Sequence, residues 1–244
     1  MSYLVILVLF SLETLFMTTE VSSHFFLGLP IEFIYQVLDE LDILQILYSL
    51  CNVCPRLNMI IGTYYRYKTF TVLNRKRKRI EYKELKQLVN AFQIIPTLVT
   101  LDLTGNKLGA REAQCLADAL KTNTTLTTLY LGSNGIGYRG ATYLADALET
   151  NKALTTLHLG SNDIGPSGAL YLSYALEKNK TLTALHLESN GIGSDGAQHL
   201  ADELENNKTL TTLDVSSNSI ERGAFQIVYG NLLNVTNNGK SCES

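Results

Sequence analysis

The 244-residue chain has no tryptophan, only four cysteines, and no marked excess of charge of either sign, with 20 basic against 23 acidic residues. Each scarcity excludes something. Cys51 and Cys54 form a CxxC pair, but no second pair or His-rich partner completes a zinc set, and Cys115 and Cys242 are too scattered for a disulfide framework. A reducing compartment fits this usage. A net charge of −3 gives no general pull toward nucleic acid. The one charge run, Arg75 to Arg79 (RKRKR), lacks the interleaved aromatics of a base-stacking surface; it reads as a solvated loop, with a nuclear address or a phosphate patch as the functional alternatives. Neither a GxGxxG dinucleotide turn nor a GxxxxGK loop is present outside repeated turns, and no Ser or Cys nucleophile has an identifiable base. An enzyme is not expected, and no cofactor is implied.

Long apolar runs are also missing. Residues 1–23 open with MSYLVILVLFSLETLFM, whose apolar stretch is interrupted by Glu13 and is too short to cross a bilayer. It has no basic n-region, although TTEVSS offers a possible signal cleavage site. The sequons at Asn123, Asn179, Asn207 and Asn234 point toward secretion only weakly, because the first three recur with an internal repeat. The expected location is cytoplasmic or nuclear with no membrane contact, and a secreted form stays open.

What the chain does have is a phrase repeated in register: LVTLDLTGNKLG, LTTLYLGSNGIG, LTTLHLGSNDIG, LTALHLESNGIG and LTTLDVSSNSIE begin at Leu98, Leu126, Leu154, Leu182 and Leu210. The starts are 126 − 98 = 28 residues apart throughout, and self-similarity at such a period means a solenoid. The LxxLxL spacing predicts a short strand with one apolar face. Asn106, Asn134, Asn162, Asn190 and Asn218 fall at the strand ends, where a carboxamide can satisfy backbone groups of its own and the neighbouring turn. Gly109, Gly137, Gly165 and Gly193 then allow the positive φ that bends the chain toward a helix. Pairs such as Leu116 with Leu120 and Leu144 with Leu148 give each helix one buried stripe. Strands pack about 4.8 Å apart and helices are about 10 Å wide, so the array should curve into a horseshoe with parallel strands concave and helices convex.

These units resemble leucine-rich repeats of the long-repeat class typified by ribonuclease inhibitor, the repeat regions of NOD-like receptors and the Ran GTPase activator. The resemblance implies an α/β leucine-rich repeat solenoid over residues 98–232. Counting back 28 residues from Leu98, Leu101 and Leu108 lands on Phe70, Leu73 and Ile80, which predicts a degraded cap repeat over 69–97. At the far end Phe225, Val228 and Leu232 make a bulkier last helix before a polar tail at 233–244.

Residues 24–68 are of another kind. Phe33, Ile34, Val37, Leu38 and Leu41 recur at helical spacing after Pro30, Asp42 can cap a second helix, and Pro55 forces a break before a third. Leu29, Pro30, Glu32, Asp42, Val53, Cys54 and Arg56 resemble an F-box, with Leu57 where that pattern has tryptophan. The resemblance implies a small all-α module preceding the solenoid, docking a Skp-type adaptor of a cullin ubiquitin ligase through Leu29, Pro30, Ile34, Val37, Leu41, Leu44 and Val53. The alternative is that these residues are the interior of a helical cap.

Function is expected on the concave face as a protein-binding surface. Its central column reads Asp102, Tyr130, His158, His186 and Asp214, and Glu188 stands in a flanking column with Gly132 and Gly160. The two glycines are expected to leave the rings of Tyr130 and His158 accessible as interface anchors. His158, His186 and Asp214 include metal-ligating types, but a flat row does not converge like a tetrahedral site, so no metal is expected. Three functions follow: a substrate receptor of a ubiquitin ligase, a ligase-independent scaffold or inhibitor, and, more remotely, a GTPase activator using Arg111 or Arg139.

Overall fold

A computed structural model describes residues 30, 31, 34, 55–63 and 71–231. Two compact units divide the chain: one takes the residues up to Thr71 together with Lys83–Leu98, the other Val72–Tyr82 and Val99 onward.

In the first unit, Pro55 starts helix α1 (Pro55–Thr63), whose Ile60 and Ile61 are buried. Proline at a helix start costs nothing there, since its missing N–H would have had no partner in the first turn. Helix α2 (Tyr82–Ile94) buries Leu85, Leu88 and Val89 along one stripe. Of the expected adaptor face, Pro30 is exposed, whereas Ile34 is 1% exposed and so is an interior side chain. Leu29, Val37, Leu41, Leu44 and Val53 lie outside the described residues.

The second unit is the repeat. Strands β1 (Val72–Asn74), β2 (Thr100–Asp102), β3 (Thr128–Tyr130), β4 (Thr156–His158), β5 (Ala184–His186) and β6 (Thr212–Asp214) form one parallel sheet in sequence order. Every pairing joins residues 28 apart, from Leu73 with Leu101 to Leu185 with Leu213. Parallel neighbours need a crossover, supplied from β2 to β6 by α3 (Gly109–Leu120), α4 (Gly137–Thr150), α5 (Gly165–Lys178) and α6 (Gly193–Leu204), with α7 (Arg222–Asn231) after the last strand. Successive helices from α3 to α7 pack on one another in order. Each strand buries its central leucine, and the next apolar position, Leu103, Leu131, Leu159, Leu187 or Val215, is buried too. Burying one such leucine contributes about 2 kcal/mol, and the column repeats that gain in every unit.

Two asparagine ladders bolt the repeats together. In the first, fully buried Asn162 donates its amide to the carbonyls of Leu159 (2.7 Å) and Leu131 (2.9 Å), and its Oδ1 accepts the Asn134 N–H at 2.9 Å. Asn106, Asn134, Asn190 and Asn218 repeat the pattern. The second ladder, Asn123, Asn151, Asn179 and Asn207, is one the sequence reading missed. Asn151 donates to Leu120 O at 2.6 Å and accepts the Leu154 N–H at 2.7 Å. Asn179 and Asn207 donate in the same way to Leu148 O and Leu176 O.

Candidate functional site

The strand face carries the side chains that strand alternation turns away from the leucine core. Register places Asp102, Tyr130, His158, His186 and Asp214 side by side at the last position of five successive strands. All five are half-buried. The three aromatic members do not stand apart: Tyr130 stacks on His158 with centroids 4.2 Å apart and planes at 15°, and His158 stacks on His186 at 4.0 Å and 10°. Strand spacing of about 4.8 Å makes this natural, because flat rings leaning slightly along the ladder reach stacking distance.

His158, between the other two rings, is the electrostatically distinctive group. Loss of water drives its pKa from 6.5 down to about 4; the neighbouring His186 adds to the fall and Asp102 opposes it. It is therefore a neutral imidazole at physiological pH. Each end of the column is a carboxylate held by its own turn: Asp102 Oδ1 accepts the Thr104 N–H, and Asp214 Oδ1 the Ser216 N–H, both at 2.9 Å.

Gly160 does not open space beside the rings as expected, because a methyl group placed there would collide with the Glu188 carboxylate; the Glu188 arm has filled the gap. A Cβ at Gly132 would meet only ordinary contacts, with Gly160 O at 3.4 Å and Thr104 Cγ2 at 3.7 Å. What the rings offer is the exposed part of one continuous stack rather than two separate anchors. Its neighbour Glu188 has one oxygen, Oε2, buried without a hydrogen-bond partner.

Other residues singled out in the sequence lie elsewhere. Arg111, in the first turn of α3, lies 3.9 Å over the ring of Tyr82. Arg139, in the first turn of α4, donates from Nε to the Tyr138 hydroxyl at 3.1 Å. Neither arginine is on the strand face. The basic run Arg75–Arg79 forms the turn after β1, where Lys78 N–H donates to Asn106 Oδ1 at 2.9 Å. Among the described residues no helix is long and apolar enough to cross a membrane.

The Leucine Rich repeat family model matches residues 95–117, 122–145, 150–173, 178–201 and 206–221, so the second unit carries five consecutive leucine-rich repeats. No curated protein matches the chain. Among solved structures, the leiomodin-1 actin-binding site 2 is similar, at 25% identity and a TM-score of 0.56 over 62% of this chain and 87% of that one. The tropomodulin C-terminal domain of Caenorhabditis elegans shares the fold, at 15% identity and a TM-score of 0.53, over 62% and 91% of the two chains. The repeat unit therefore shares the leucine-rich repeat fold of these two structures.

Proposed function

We propose that the repeat unit is a protein-binding module without catalytic activity, capturing its partner on the strand face. The observation that supports this most directly is the stack of Tyr130, His158 and His186 bounded by Asp102 and Asp214. Rings already ordered against one another lose little further freedom on binding, and half-buried aromatics are the usual anchors of an interface. The end carboxylates add acceptors for a partner's basic or hydroxyl groups. The likeness to the leiomodin-1 segment makes actin the first protein to try. Capture weakened at least tenfold by Tyr130→Ala, but retained in Tyr171→Ala on α5, is the expected result. Capture indifferent to Tyr130 would overturn the assignment to this face.

The F-box-like pattern supports a sharper reading, in which the captured protein is handed to a cullin ligase through a Skp-type adaptor. That reading rests on the residues from Leu29 to Arg56 as a sequence pattern, and places the protein in the cytoplasm or nucleus. Pull-down of adaptor and cullin by the full chain, lost in Val37→Asp, is the expected outcome. A folded chain that takes up no adaptor leaves the ligase-independent scaffold.

A further inference from the structure

We propose that His186, Glu188 and Asp214 bind a single divalent transition-metal ion, zinc foremost, on the strand face. Along the central column alone, His158, His186 and Asp214 form a flat row that does not converge on an ion. Glu188 changes the geometry. It stands two residues beyond His186, in the turn that follows β5, while Asp214 pairs with His186 from the adjacent strand. The three side chains therefore form a corner rather than a row. One ligand atom from each lies within 4.8 Å of the other two. Zinc bonds of about 2.0–2.2 Å set tetrahedral ligand atoms about 3.4 Å apart, so closing the site needs about 1.4 Å or less, within the swing of a three-torsion glutamate arm.

A second, separate observation points to a cation. Glu188 Oε2 is shut away from water and accepts no hydrogen bond. A carboxylate oxygen left so is costly, and a bound ion is one of the recognised ways such an atom is satisfied. The surroundings also prepare the donors. The Ser216 N–H on Asp214 Oδ1 steadies that carboxylate and leaves its second oxygen for the ion. Stacking on His158 fixes the plane of the His186 ring. One imidazole nitrogen with two carboxylate oxygens suits zinc better than the oxygen-only sets preferred by calcium or magnesium. Three protein ligands leave a position for water or an incoming side chain.

Calorimetric titration of the full chain with zinc chloride tests the assignment. One ion should bind per chain, with affinity reduced at least tenfold in the near-isosteric Glu188→Gln and in His186→Ala. Gly160→Ala, whose methyl would displace the Glu188 carboxylate, should weaken binding as well, whereas Cys51→Ser with Cys54→Ser should leave it unchanged. Should a variant fail to fold, cobalt(II) added to the unaltered chain gives an independent reading, through paramagnetic broadening centred on His186 and Asp214. Absence of binding, affinity indifferent to Glu188 and His186, loss on cysteine replacement, or broadening centred elsewhere would each overturn the site.

Discussion

The imidazole rings of His158 and His186 lie face to face, their centroids 4.0 Å apart and their planes 10° from parallel. This arrangement makes the stability of the repeat unit pH-dependent. Burial first, then the neighbouring His186, lowers the His158 pKa from 6.5 to about 4. Between those values the unfolded chain binds more protons than the folded one, so stability falls as pH falls through that window and levels off below about pH 4. Solvent still reaches the ring, so the effect is on the order of 1–2 kcal/mol. Thermal unfolding at about pH 6.5 and 4.5 should show a larger loss for the native chain than for His158→Gln. Equal losses would assign the titration to another group.

Asn162→Ala should be among the most damaging single changes. It removes a fully buried carboxamide that accepts the Asn134 N–H and donates to two carbonyls on adjacent repeats. Leaving those groups unsatisfied costs about 1–3 kcal/mol each before any relaxation, so a net loss of about 3 kcal/mol or more is expected. Urea unfolding followed by circular dichroism measures it, and a loss under about 1 kcal/mol would mean that water replaces the carboxamide.

The sequon asparagines Asn123, Asn179 and Asn207 should carry no glycan in the folded protein. They are 7%, 3% and 7% exposed, and each accepts the N–H of the leucine three residues on. Expression through a eukaryotic secretory route, followed by glycopeptide mass spectrometry of folded material, checks this. Occupancy at any of the three in a cooperatively folding product would contradict the buried ladder.

Alanine in place of a helical glycine usually adds up to about 1 kcal/mol of stability. Gly196→Ala should do the opposite. Its new methyl would stand 2.5 Å from Ile192 Cγ2, 3.0 Å from Pro166 Cα and 3.1 Å from Ala169 Cβ, so the Ile192 side chain must shift and the preceding helix give by a few tenths of an ångström, at a cost of about 1–3 kcal/mol. Gly223→Ala, with nothing within 4 Å of the added carbon, should be neutral or gain a few tenths of a kcal/mol. Denaturation midpoints moving together would show that helix spacing is not what holds Gly196.

Much of the fold was legible because period and residue type coincide. Leu73 was reachable by counting 28 residues back from Leu101, and the two do pair in the sheet. The role of Asn106 and its successors could be argued from the donors and acceptors of a carboxamide at a turn. Asn151 and its ladder recur just as regularly, but three of the four members sit in sequons, where residue type points to a glycan acceptor as readily as to a buried turn. Of the adaptor face expected from the F-box-like pattern only Pro30 and Ile34 are described, and Ile34 is an interior side chain.

From the sequence alone came the repeat length, the parallel register, the leucine core and the column from Asp102 to Asp214, since backbone pairing and side-chain alternation depend only on spacing and residue class. Tertiary structure decided what happens within a few ångströms on that column: that Tyr130, His158 and His186 stack on one another, that Glu188 fills the gap over Gly160, and that its carboxylate comes near His186 and Asp214. The physical reason is that a two-residue strand period states which face a side chain is on, whereas ring stacking and carboxylate position follow from rotamers chosen jointly by neighbours on different repeats.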